Sequence, residues 1–351
     1  MLVAPSIQRA AIDSWPIKFS GLPARVVNSV SPSNVQTVGD LRNLSDSELM
    51  QFRSLGRISL RHIHDFFELC AQIEQGRQCF NALDEILKLF LDEEEYKVLI
   101  ARYGFASGRT LITRNTVTLQ EVGNAEHKTR ERIRQIQDVA LQKLSSRLAT
   151  VCLHPFFNYA HRLLDRYAQV IAAEELAPRR NDPVFSTHNP CGVFLLLCDL
   201  PESCLFMYRD FFSSVPVCAI SLLEESALRY LNAQNRPVGI DELIGQLPPL
   251  PELKSIEQTK RVACMVLDHY PNVGSTTDNR FFVYDQGAQP FLLEIMNTLN
   301  RPAHYRMVTN AFNDRLKPQS RKGAGYILEQ LNVLSQCTRV DRGVYDLKPE
   351  L

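Results

Sequence analysis

The chain has 351 residues, 45% of them hydrophobic, which is enough to bury a substantial core and more than one compact module needs, so several small modules are expected. Thirty-nine basic residues balance thirty-nine acidic ones, which excludes a global field drawing the protein onto a polyanion and makes any electrostatic footprint local. Nine cysteines without a Cys-x-x-Cys pair argue against a zinc ribbon or a disulfide framework and for buried thiols in a reducing compartment.

Residues 1–17 carry Asp13 and several polar side chains where a signal peptide needs an apolar core, and the apolar run 193–198 is too short to cross a bilayer. A soluble, cytoplasmic protein without a membrane partner is expected. Residues 1–21, with Pro5, Pro16 and the single tryptophan Trp15, lack periodicity and read as an irregularly docked arm.

Short helices alternate with turns over 22–76: Ser45 and Glu48 have capping-box spacing, and Gly56 interrupts the chain before a helix starting at Ser59. Residues 81–103 read as strongly helical, with Asp92 and Glu95 as a second box and Val98, Leu99 and Tyr103 inward; the acidic run over 92–95 is explained by the preference of carboxylates for helix N-termini. A third box, Thr118 with Glu121, opens a short helix. After a turn over 125–128, Thr129 caps a longer one whose Ile133, Ile136, Ala140 and Leu144 form a single stripe.

Helical pattern continues through Phe156, Leu163 and Tyr167 to about Ala177, giving a helical connector over 151–216. Two modules follow, 217–287 and 288–351, the first read as a helix, two further helices over 239–247 and 256–270 and a strand over 281–284, the second as three helices and the segments 338–340 and 344–347 flanking a turn, an order that suggests winged helices with small β-wings. The fold class expected is mainly α and multidomain.

Between Lys128 and Arg147 six basic residues face two acidic ones, and Arg130, Arg134 and Gln135 lie opposite the isoleucine stripe. In the second helix of a helix-turn-helix such side chains reach base edges in the major groove: arginine reads guanine, glutamine adenine, and Glu131 accepts from cytosine.

The order of residues is more specific than their charge. Thr118-Leu119-Gln120-Glu121-Val122-Gly123, five residues, then Thr129-Arg130-Glu131-Arg132-Ile133-Arg134-Gln135-Ile136, with Leu141, Lys143 and Leu144 beyond and Leu99, Arg102-Tyr103-Gly104 and Phe105 before, resembles region four of primary sigma factors of bacterial RNA polymerase over 77–150. The resemblance implies that Arg130, Glu131, Arg134 and Gln135, with Thr129 and Arg132 beside them, contact an upstream promoter hexamer in double-stranded DNA, and that the supporting helices dock the flap of the polymerase beta subunit. Gln137 and His127 depart from the family pattern, which commonly has Glu at the first and a turn-former such as Gly or Asp at the second.

Arg25-Val26-Val27-Asn28, Thr37-Val38-Gly39-Asp40-Leu41 and Ser54-Leu55-Gly56-Arg57-Ile58-Ser59-Leu60 resemble the C-terminal domain of the RNA polymerase alpha subunit, a helix-hairpin-helix-like module. It implies a minor-groove and phosphate grip by Arg25, Asn28, Gly56 and Ser59, with Ile58 where the family has lysine and Arg57 next to it as the substitute. Residues 337–347 resemble the closing wing of the helix-turn-helix domain of the polymerase delta subunit, in which Arg321, Lys322, Arg339 and Arg342 would flank a second nucleic-acid face or a protein contact.

Lys322-Gly323-Ala324-Gly325 is too short and wrongly ordered for a phosphate-cradling loop, and the pairs His62/His64 and His154/His161 lack a metal-site context. No nucleophile elbow is present, and no segment resembles the part of a sigma factor that captures melted promoter. The expectation is a cofactor-free transcription regulator, not an enzyme, that binds DNA and no small-molecule substrate. A polymerase-binding factor that occupies the beta flap without reading DNA is the alternative, and a metal-dependent nuclease a third reading.

Overall fold

The computed structural model describes residues 2–105, 117–185 and 188–348, which divide into two compact units: Met1–Arg166 with Ile171–Ser214, and Tyr167–Val170 with Val215–Leu351. The protein is predominantly helical, with nineteen α-helices and four small sheets among the described residues.

The first unit opens with β1 (Leu2–Val3), α1 (Arg9–Asp13), α2 (Ile17–Ser20), α3 (Ala24–Val30), α4 (Val38–Arg42), α5 (Asp46–Leu49) and α6 (Arg57–Glu74). Thr37 with Asp40 and Ser45 with Glu48 form reciprocal capping boxes that start α4 and α5, satisfying backbone N–H groups that a helix end leaves orphaned. The N-terminal residues are not a separate arm. Ile12 and Ile17 are buried, Val38 N donates to the Trp15 carbonyl, and Arg42 of α4 pairs with Asp13 at 2.8 Å and Glu74 at 3.1 Å. β1 pairs antiparallel with β2 (Cys79–Phe80), Leu2 opposite Phe80.

The helical run over 81–103 consists of α7 (Leu83–Phe90) and α8 (Glu93–Arg102): Leu91 adopts an extended backbone, and Asp92 restarts the helix in the box with Glu95 that its spacing predicts. α9 (Leu119–Ala125), α10 (Arg130–Leu144) and α11 (Arg147–Arg166) follow. Helix does not extend to Ala177: Ala168 and Gln169 take left-handed backbones, φ 53° and 74°, which ends α11. The connector then holds β3 (Val170–Ala172), α12 (Ala173–Leu176), α13 (Pro190–Cys198), β4 (Phe206–Tyr208) and β5 (Phe211–Ser213), with a sheet in the order β3-β5-β4, so it is mixed and not simply helical. The apolar run at 193–198 lies within α13 as core.

In the second unit α14 (Val217–Ala233), β6 (Val238–Gly239), α15 (Ile240–Ile244), α16 (Ile256–Asp268), β7 (Val273–Ser275) and β8 (Arg280–Val283) enclose a core that includes Leu231, Val238, Leu243, Leu267 and Phe281. The same order returns in α17 (Tyr284–Leu299), β9 (Ala303–His304), α18 (Tyr305–Asp314), α19 (Ala324–Val333), β10 (Cys337–Asp341) and β11 (Val344–Leu347), around Phe291, Val308, Phe312, Ile327 and Leu331. The sheets run β6-β8-β7 and β10-β11-β9. A division at 287/288 would cut α17, since its first turn already contributes Tyr284 to the second core.

All nine cysteines are free, but only Cys70, Cys152, Cys191 and Cys337 are buried, while Cys204 and Cys218 are exposed. Burial pushes the Cys70 and Cys152 thiols up to about 12, against a small opposing pull of Arg42 at Cys70. Among the described residues no helix is long and apolar enough to cross a membrane, and no group of three ligating side chains is placed to hold a metal ion.

Candidate nucleic-acid interface

α9, its turn and α10 are held by a small apolar cluster in which Val98 of α8, Val122 of α9 and Ile133 and Ile136 of α10 are buried. Burial of side chains of this size contributes about 1.5–3 kcal/mol each. Because Ile133 and Ile136 must face α8 and α9, the rotation of α10 about its axis is determined, and its opposite face is turned to solvent.

The turn depends on one glycine. A Cβ on Gly123 would lie 2.7 Å from the Lys128 carbonyl oxygen, a contact no real side chain makes, and Lys128 N donates back to the Gly123 carbonyl at 2.8 Å. His127, which departs from the family pattern, supplies the left-handed residue the reversal needs, with φ 54°. Thr118 and Glu121 form the expected capping box, and the Thr129 hydroxyl accepts from Arg132 N at 3.2 Å, capping α10.

Thr129, Arg130, Glu131, Arg132, Arg134 and Gln135 are all exposed, with Glu131, Arg134 and Gln135 turned away from the isoleucines, Arg130 on the flank, and Thr129 and Arg132 nearer the isoleucine side at the start of the helix. They are not unengaged. Arg134 holds Glu131 with two hydrogen bonds and Asp138 with a third at 2.7 Å, and Gln135 donates to Glu131 at 3.3 Å. The hydrogen bonds from Arg134 hold the Glu131 carboxyl below the usual carboxylate range, and the same pair keeps the Arg134 guanidinium firmly protonated.

The acidic run that opens α8 does more than begin a helix. Glu94 pairs with Lys128 at 3.1 Å and Arg132 at 3.3 Å, and Glu95 with Lys143 at 2.5 Å. Of the six basic residues that create the local surplus, four thus carry a carboxylate partner, and only Arg130 and Arg147 make no ion pair among the described residues. Sequence reasoning missed Glu94 and Glu95 because they lie more than thirty positions upstream of Lys128, Arg132 and Lys143, whereas the partners of Arg134 are local; the only signal for the remote pairs was an acidic run longer than a capping box uses.

Gln137 has a structural account. Arg102 donates to its Oε1 at 3.3 Å while its Nε2 donates to the Tyr103 hydroxyl at 3.5 Å, and Tyr103 in turn donates to Asp199. An amide can accept and donate at once. A glutamate could accept from Arg102 but could not serve Tyr103, whose own proton is committed to Asp199. Burial, and then the Asp199 charge, drive the Tyr103 pKa upward, so the hydroxyl stays a donor.

The second predicted set gathers around the start of α6. Arg25 of α3 donates through Nε to the Ser54 carbonyl at 3.0 Å, and Ser54 sits at φ 74°, so α3 and the 54–56 loop are tied together. Arg25, Asn28 and Arg57 are exposed, and Gly56 is the N-cap of α6. Two expectations change. The helix begins at Arg57 and not at Ser59, and Ser59 is buried at 5% exposure, so its side chain belongs to the interior of the module and not to a phosphate grip. A Cβ on Gly56 would meet nothing, and its φ of −137° suits any residue, so the fold itself has no need of glycine there. Ile58 is 73% exposed beside Arg57.

Residues 8–68 match the family model for the C-terminal domain of the bacterial RNA polymerase alpha subunit, and residues 90–146 match that described as sigma-70, region 4. The first match begins inside the segment expected as an arm, in keeping with the burial of Ile12 and Ile17. The protein is 34% identical over 115 residues to RNA polymerase sigma factor SigA of Bacillus sp, a match spanning 32% of its own length and 29% of that relative. No solved structure matches.

Proposed function

We propose that the protein is a sequence-specific DNA-binding transcription regulator of bacterial type, acting on the nucleoid together with RNA polymerase. It reads the major groove with Arg130, Arg134 and Gln135. The observation that carries this reading is the burial of Ile133 and Ile136 on one side of α10 and the exposure of every polar reader outside it, within a segment that matches sigma region four. Arg25, Asn28 and Arg57 add backbone contacts, and linking weak readers in one polypeptide raises the effective concentration of each at the duplex. On this reading the protein has no catalytic activity, and plasmid incubated with it and magnesium stays intact.

The carboxylates on Lys128, Arg132 and Arg134 favour a second reading, in which the sigma-like module docks a protein surface such as the polymerase beta flap and leaves DNA unread. Selection of DNA from a random pool by the purified protein separates the two. An enriched motif whose preference at one position relaxes in Arg134→Ala or Gln135→Ala supports the reader, by on the order of ten- to a hundredfold at that base. A flat profile with retained polymerase binding supports the docking factor.

A further inference from the structure

The second unit contains two hairpins of the same topology in opposite circumstances. The outer edge of the first, β7, is already occupied: Lys317 N donates to the Ser275 carbonyl at 2.9 Å, Thr277 N to the Arg315 carbonyl at 2.9 Å, and Ser275 N to Ser320 Oγ at 3.0 Å. Its one basic side chain is spent as well, since Arg280 pairs with Asp278 at 2.9 Å and with Glu294 of α17 at 3.0 Å, where Arg315 joins the same carboxylate. A hairpin zipped along its edge and neutralised at its turn is a buttress for the module that follows.

The second hairpin, β10 with β11, is free of such cover at its turn. Arg339 and Arg342 are exposed there, and Tyr305 N donates to the Gly343 carbonyl at 2.8 Å, which brings the first turn of α18, with exposed Arg306, next to them. Among the described residues none of these three arginines has a carboxylate within ion-pair distance; Arg306 reaches only the Tyr305 hydroxyl at 3.3 Å and Arg339 only the Asp341 carbonyl at 3.2 Å. This contrasts with α10, where most cations are paired.

We infer that Arg306, Arg339 and Arg342 form a phosphate-binding surface for the backbone of a nucleic-acid duplex, carried by the second hairpin and the first turn of α18 and not by the first hairpin. Guanidinium forks suit phosphate oxygens, and unpaired exposed cations release counterions on binding without first breaking an internal ion pair. The inference rests on the proposed function only in taking duplex DNA as the polyanion. It adds that sequence-independent grip comes from the C-terminal module, while base reading stays with α10.

The test is equilibrium anisotropy of the full-length protein on a short random-sequence duplex over a salt series. The triple variant Arg306→Ala/Arg339→Ala/Arg342→Ala is expected to bind more weakly, with the slope of log affinity against log salt shallower by about 0.9 for each phosphate no longer engaged. Lysine at all three positions should restore the slope, and Asp278→Ala in the first hairpin should leave it unchanged. A triple variant with the wild-type slope, or a wild-type protein that ignores random duplex even at low salt, overturns the inference. The proposed function fails separately, if selection yields no motif while this salt-sensitive binding persists.

Discussion

Arg134 closes a bidentate ion pair on Glu131 one turn earlier in α10, Nε to Oε2 at 2.9 Å and Nη2 to Oε1 at 2.7 Å. Both side chains are exposed, so water and salt compete with the pair, and a guanine edge or a phosphate competes on similar terms. The readers are thus pre-aligned along the helix but held by their own neighbours.

Asp138 is the partner of Arg134 that the resemblance does not cast as a base reader. Asp138→Asn should therefore tighten binding to the selected motif several-fold without changing the motif, as read by anisotropy on the motif duplex. Unchanged affinity would mean that Arg134 remains with Glu131 on the DNA.

Glu94 holds Lys128 and Arg132 together. Glu94→Gln releases two cations beside the reading face, so affinity for any duplex should rise and its salt dependence steepen by up to about 0.9 per newly engaged phosphate. Discrimination between motif and random duplex should stay as it is, because the gain carries no base information and strengthens both complexes alike.

Two glycines should respond to different degrees. Gly123→Ala forces a Cβ to 2.7 Å from the Lys128 carbonyl and should destabilise the turn by about 1–3 kcal/mol, lowering the denaturation midpoint along with DNA binding. Gly56→Ala meets open space at an ordinary φ, so the midpoint should fall only by what a poorer N-cap for α6 costs, less than in Gly123→Ala, and Gly56→Ser should hold it. Weaker DNA binding without loss of stability would locate a phosphate at that backbone, and unchanged binding would remove Gly56 from the interface.

Asp84 of α7 accepts from His188 at 2.5 Å and from the Tyr96 hydroxyl at 2.9 Å. Burial alone would raise its pKa, but the hydrogen bonds from His188 and Tyr96 and the charges of His188 and Lys88 outweigh it and hold the carboxyl below its ordinary value of 3.8. The stability from this lowering is fully present above that value and is lost as pH falls through the lower, folded-state pKa. Thermal melting followed from neutral pH to pH about 3 should show a smaller acid-induced drop in Asp84→Asn than in wild type over that final interval. Parallel curves would show that another carboxylate controls the acid limb.

Much of the architecture could be read locally. Ser45/Glu48, Asp92/Glu95 and Thr118/Glu121 announce helix starts three residues apart, and the Ile133, Ile136, Ala140, Leu144 stripe defines the buried face of α10. The exposure of Arg130, Glu131, Arg134 and Gln135 follows from that stripe. Features that depend on distant partners were not readable: Ile12 and Ile17 look unpatterned until the helices they pack against are known. Ser59 looks available until its side of α6 is seen to be the inner one.

By itself, the sequence determined periodicity, caps and turn chemistry, because each is settled within a few residues by backbone sterics and by the demand that orphaned N–H groups be satisfied. It also carried the order of residues that places this segment beside sigma region four. Only the tertiary structure decided which charges are neutralised and which strand edge is covered. Glu94 meets Lys128 and Arg132, and the backbone of Arg315 and Lys317 covers β7, because packing brings remote segments within the few ångströms over which ion pairs and hydrogen bonds act.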